Sequence, residues 1–120
     1  MKENVIQERT FEFSLSIIKL YQQLQENKEF VISKQVLRSG TSIGANVEEA
    51  TAAQSKRDFL NKMSIASKEA RETKYWLRLL KESDLVKIPL ESYLTEIDEI
   101  INILTKIVKT TAKNLTEEKK

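Results

Sequence analysis

The sequence contains no cysteine and no histidine, and only one proline and two glycines in 120 residues. Lack of cysteine rules out disulfides, thiolate metal sites and a cysteine nucleophile, and it suits a cytoplasmic chain. Lack of histidine removes the usual general base and the commonest metal ligand near neutral pH. Ser-His-Asp triads, zinc sites with histidine ligands and histidine-dependent ribonuclease mechanisms go with it. The expectation is therefore a protein that is not an enzyme and holds neither cofactor nor metal. A β-rich chain of this length would need many tight turns, which draw on glycine and proline, so the sparse punctuation points to a few long helices. No run approaches the ~18 apolar residues of a membrane span. The opening MKENVIQERTF mixes charges where a signal peptide needs an apolar core. Neither export by that route nor membrane insertion is expected.

What is present is 40% apolar and 32% charged residues, the mixture of one soluble globular domain over residues 1–120. The net charge of +2 is too balanced to imply nucleic acid by itself, so the placement of charge carries the information.

On a helical wheel four segments emerge, over about 5–26, 31–53, 55–83 and 89–115. In the first, Ile6, Phe13, Ile17, Leu20 and Leu24 share one stripe, while Phe11, Leu15, Ile18 and Tyr21 form a second beside it. That is more apolar surface than one neighbour covers, as in a helix deep in a core or one shared with another subunit, and with the broad stripe of the fourth segment it argues against a lone monomer. The second segment carries Ile32, Val36, Leu37, Ile43, Val47 and Ala50 on one stripe. Ser55-Lys56-Arg57-Asp58 reads as a capping box opening the third. There Phe59, Met63, Ala66, Ala70, Thr73, Leu77 and Leu80 keep the spacing of a buried face, with Trp76 to one side. Pro89 suits the first turn of the fourth, and the tail TEEKK reads as a fraying end. Such helices joined by short connections pack most simply as an antiparallel up-down-up-down four-helix bundle.

Both glycines fall in RSGTSIGANVEEA, Arg38 to Ala50. A Walker loop needs four residues between its glycines and a Lys-Ser or Lys-Thr after the second, whereas Gly40 and Gly44 are separated by three and Ala45 follows. The wheel places both, with Ile43, on the apolar stripe. There a glycine pair admits another backbone closely, at ~0.5–1 kcal/mol each relative to alanine. Gln35, Ser39, Ser42 and Asn46 line a polar ridge beside this seam, from which Asn46 could bridge helices.

Two charged sets compete for a functional role. Glu48, Glu49, Glu69 and Glu72 suggest paired carboxylates, but four-helix di-iron sites draw on Glu-x-x-His, and salt bridges to Arg38, Arg71 or Lys68 are the simpler reading. On the third segment Arg57, Lys68, Arg71, Lys74 and Arg78 gather on one broad side, with Lys81, while Asp58, Glu69 and Glu72 lie next to Trp76. That segregation fits sequence-independent, salt-sensitive contact with a phosphate backbone, as against a merely solvated face.

The stretch Leu37 to Asp84 resembles the bacterial four-helix bundle family of proteins encoded in intervening sequences of 23S ribosomal RNA genes. The carrying motifs are R-S-x-x-S-I-x-A-N-x-x-E (Arg38, Ser39, Ser42, Ile43, Ala45, Asn46, Glu49), D-F (Asp58, Phe59) and S-I-A-x-K-E-A-x-E-T-x-Y-W-L from Ser64 to Leu77. The resemblance implies an up-down bundle assembled as a homopentameric ring. It also implies kinship with accessory proteins of diversity-generating retroelements, which serve a reverse transcriptase and are thought to bind nucleic acid. Many relatives carry glycine where this chain has Ala50 and Asp84.

Together these readings give a ring-forming all-α protein whose partners are other copies of itself and RNA or DNA, the latter held by Arg57, Lys68, Arg71, Lys74 and Arg78. Gly40, Ile43, Gly44, Asn46 and Trp76 are assigned to helix packing and assembly. The alternative is a structural scaffold for a protein partner without nucleic-acid binding.

Overall fold

The computed structural model describes residues 2–118, which form four α-helices and no strand among the described residues. They are α1 (Lys2–Glu26), α2 (Ile32–Thr51), α3 (Lys56–Ser83) and α4 (Glu91–Glu118), packed as an elongated body of 54 × 23 × 22 Å. At a rise of about 1.5 Å per residue, the two 28-residue helices are each roughly 40 Å long, so they set the long axis. α2 packs most extensively on α3, and of the helix pairs that touch, α1 and α4 meet least. This packing is compatible with a bundle.

The start and stop signals are local. Ser55 stands in extended conformation before α3 and accepts the Asp58 amide at 3.0 Å, the first half of the capping box. Asp84 ends that helix in the left-handed conformation, with φ 57° and ψ 24°. Glycine is commonest at such a position, and aspartate is tolerated. Lys28 does the same after α1, with φ 62°. α2 lacks a Ser, Thr, Asp or Asn cap. Instead the Glu29 carboxylate accepts the amides of Val31, Ile32 and Ser33 at 3.1, 3.1 and 2.5 Å, satisfying donors that the helix leaves unpaired. Several boundaries differ from the sequence reading: α1 begins at Lys2 rather than about residue 5, α2 ends at Thr51 rather than about residue 53, and both ends of α4 shift. Pro89 precedes α4, which begins at Glu91: Leu90 takes the cap position, its carbonyl accepting the Leu94 amide at 3.0 Å. At the other end α4 continues through Thr116 to Glu118, while Lys119 and Lys120 of the tail lie outside the described residues.

The core follows the stripes. Ile6, Phe13, Ile17, Leu20 and Leu24 from α1 meet Val36, Ile43, Val47 and Ala50 from α2, Met63, Ala66, Ala70, Leu77 and Leu80 from α3, and Ile97, Ile100, Ile101 and Leu104 from α4. Each fully buried aliphatic side chain contributes about 1.5–3 kcal/mol relative to exposure. Between α1 and α2 the helices come unusually close. A β-carbon added to Gly40 would stand 2.9 Å from Cγ2 of Ile17, and one on Gly44 would stand 3.2 Å from both the Thr10 carbonyl and Ser14 Oγ. Thr10 and Ser14 stand opposite Gly44, where short side chains fit. Their hydroxyls also donate back to the Ile6 and Thr10 carbonyls, at 2.7 and 2.9 Å. Gly40 and Gly44 are buried against α1, and Ile43 is fully buried in the core.

One face of α1 has no such partner among the described residues. Phe11, Leu15 and Ile18 are 61%, 48% and 41% exposed, one turn apart along the helix. These are three of the four residues of the second stripe of the sequence reading; the fourth, Tyr21, is part-buried.

Candidate nucleic-acid interface

The polar ridge of α2 is mostly internal. Ser39 and Thr73 are both fully buried. Ser39 donates to the Gln35 carbonyl at 2.9 Å and receives the Thr73 hydroxyl at 2.9 Å, while Thr73 also lies 2.8 Å from the Glu69 carbonyl. Ser42 donates to the Arg38 carbonyl. Asn46 does not bridge helices, because its Nδ2 donates to the Ser42 carbonyl of its own helix at 2.8 Å. A polar side chain one turn above a free carbonyl lone pair satisfies itself locally, which is why sequence spacing alone overstated its reach.

The four glutamates are divided among three different partners. Glu48 accepts from Gln7 at 3.2 Å, Glu49 pairs with Lys62 at 3.0 Å, and Glu69 and Glu72 both face Arg38. Glu72 also accepts the Trp76 indole N–H at 3.0 Å. Trp76 is itself half-buried against the core. A cleft of about 630 Å³ at the α2–α3 turn is lined by amides and hydroxyls such as Gln7, Thr51, Gln54 and Ser55, with Lys56, and holds no acid–base pair.

The basic residues of α3 separate into two rows. Arg57, Lys68, Arg71 and Arg78 are exposed and follow one another at spacings of eleven, three and seven residues, which keeps them on one outer face of an α-helix. Lys74 belongs to a neighbouring row, half-buried, and pairs with Asp98 of α4 at 2.7 Å. Among the described residues no carboxylate stands within salt-bridge distance of Arg57, Lys68 or Arg71. Arg71 donates to the Thr105 hydroxyl at 3.2 Å, and Arg78 meets Glu82 at a loose 3.4 Å. Exposed pairs of that kind are worth ~0.2–1 kcal/mol and are readily exchanged for a phosphate.

Two features escaped the sequence reading. Arg9 forks onto Glu96 at 2.9 Å and Glu99 at 3.1 Å, tying α1 to α4, and hydrogen bonds from Glu99 and Glu96 raise its pKa further. Tyr75, 54% exposed, stands in the outer row of α3 between Arg71 and Arg78.

The family model described as 23S rRNA-intervening sequence protein matches residues 2–106. A crystal structure of a protein of unknown function from the S23 ribosomal protein family of Bacteroides thetaiotaomicron is 50% identical, covers 91% of this chain and 99% of its own, and superposes with a TM-score of 0.86. No curated protein matches. Neither description names a catalytic activity. The match spans α1 through the core-forming half of α4, and the chain belongs to the 23S rRNA-intervening sequence protein family.

Proposed function

We propose that this is a non-enzymatic, cytoplasmic bundle protein that binds RNA or DNA across the outer face of α3 and works as a closed ring of copies, five by family resemblance. The observation that carries the binding is the row Arg57, Lys68, Arg71 and Arg78, three of whose members lack a carboxylate partner among the described residues. Uncommitted cations in a row hold a phosphate backbone by releasing its counterions, a mode indifferent to sequence and weakened by salt. Helices running in alternate directions are supported by pairings that descend on one helix as they ascend on the next: Gln7 with Thr51 and Gln25 with Ser33, then Lys62 with Glu49 and Thr73 with Ser39. The absence of histidine and cysteine and the dispersal of the glutamates support a role without catalysis.

Fluorescence anisotropy with a labelled oligonucleotide tests the binding. The wild-type chain is expected to bind at low salt, and the double variant Arg71→Glu, Arg78→Glu to lose most of that affinity. Binding untouched by the charge reversal would remove the α3 face from consideration.

A second reading, a scaffold for a protein partner, is favoured by one observation, the uncovered Phe11–Leu15–Ile18 stripe. We assign that stripe to another copy of the chain. A pull-down that recovers a different protein on it and no nucleic acid would favour the scaffold.

A further inference from the structure

The outer row of α3 contains one residue that phosphate binding does not require. Tyr75 follows Arg71 by four residues and precedes Arg78 by three, spacings that put it in line with them on one helix face. The residue is 54% exposed there. It is also braced. The ring meets that of Trp76 edge-on, with centroids 5.3 Å apart and planes at 70°. Aromatic quadrupoles favour that arrangement. Trp76 is fixed in turn by its indole hydrogen bond to Glu72, and Glu72 by its ion pair with Arg38. A chain of contacts from α2 thus braces an exposed tyrosine whose helix position lies between those of Arg71 and Arg78.

Surface tyrosines that merely shield arginine stems need no such bracing. A fixed π-face flanked by cations is what unpaired bases require: the cations track the backbone and the ring stacks a base, whatever its identity. The bases of a duplex are stacked on each other and offer no face. We propose that Tyr75 is a stacking platform and that the ligand of the α3 face is single-stranded nucleic acid rather than duplex. This rests on the nucleic-acid reading above and narrows it.

Anisotropy titrations of the full chain with labelled single strands of ~20 nucleotides test it, each strand prepared in a base-bearing and an abasic form of equal charge. RNA and DNA strands are run in parallel, because both present phosphates and bases, and a result with either one counts. The wild-type chain is expected to bind the base-bearing strand roughly tenfold more tightly than the abasic one. Tyr75→Ala is expected to erase that difference without weakening the abasic strand, and Tyr75→Phe to preserve it. Equal binding of both strands by the wild-type chain, or a difference that survives Tyr75→Ala or disappears with Tyr75→Phe, overturns the stacking platform while leaving phosphate contact intact. Failure of every strand to bind at low salt overturns both.

Discussion

Gly44 lies so close to Thr10 that a β-carbon on it would stand 3.2 Å from the Thr10 carbonyl oxygen, a backbone atom held in α1. A side chain there forces the two helices apart. Gly44→Leu is expected to destabilise the chain by about 1–3 kcal/mol, the usual cost of overpacking, despite the better helix propensity of leucine. Urea denaturation followed by circular dichroism measures it, and an unchanged midpoint would contradict the close approach.

At Gly40 the obstacle is different. The nearest atom is Cγ2 of Ile17, a β-branched side chain with little rotamer freedom on a helix. Gly40→Ala is expected to destabilise, and the double variant Gly40→Ala, Ile17→Ala to lose less than the sum of the two single losses, since alanine lacks the Cγ1 and Cγ2 atoms that the new methyl group meets. Additive losses in the double variant would show that the contact is relieved elsewhere.

Ser39 and Thr73 form the one buried side chain to side chain hydrogen bond between α2 and α3 among the described residues. Each hydroxyl also has a carbonyl of its own helix within reach, so neither is orphaned when the other is removed. Ser39→Ala and Thr73→Val are each expected to cost about 1 kcal/mol, with a coupling of about 0.5–1 kcal/mol in the double-mutant cycle. A coupling near zero would mean that the local bonds to carbonyls carry all of the stability.

The fold was legible because its determinants are periodic. Ile17, Val47, Leu77 and Ile100 lie on stripes that a wheel finds, and the Ser55 cap and the turn at Asp84 are short local signals. What stayed hidden depends on side chains that join helices distant in sequence or break a residue preference. Arg9 reaches Glu96, 87 residues away. Thr10, a polar residue, faces the glycine seam because it bonds to its own helix. Glu29 caps α2 from outside the usual cap position. For the site, the wheel grouped Lys74 with the other cations. The structure turns it to Asp98 instead and leaves Tyr75 in the row, because membership depends on which side of α3 is covered by α4.

The apolar stripe of α1 bears on assembly. Phe11, Leu15 and Ile18 cover about two turns. Placing a charge among them should prevent burial against another copy, since an unpaired charge at an interface is costly. Wild-type chain is expected to elute as an oligomer in size exclusion with light scattering, and Leu15→Glu as a monomer with unchanged helicity. A wild-type monomer at micromolar concentration would sink the ring.

Contact between the α3 face and phosphates is tested most directly by the salt dependence of binding. For a single strand, each phosphate neutralised adds about −0.7 to the slope of log affinity against log salt. With Arg57, Lys68, Arg71 and Arg78 engaged, the wild-type slope is expected at about −2 to −3 per bound subunit. Arg71→Ala should flatten it by about 0.7. A slope near zero, or one that Arg71→Ala leaves unchanged, would contradict binding through this face.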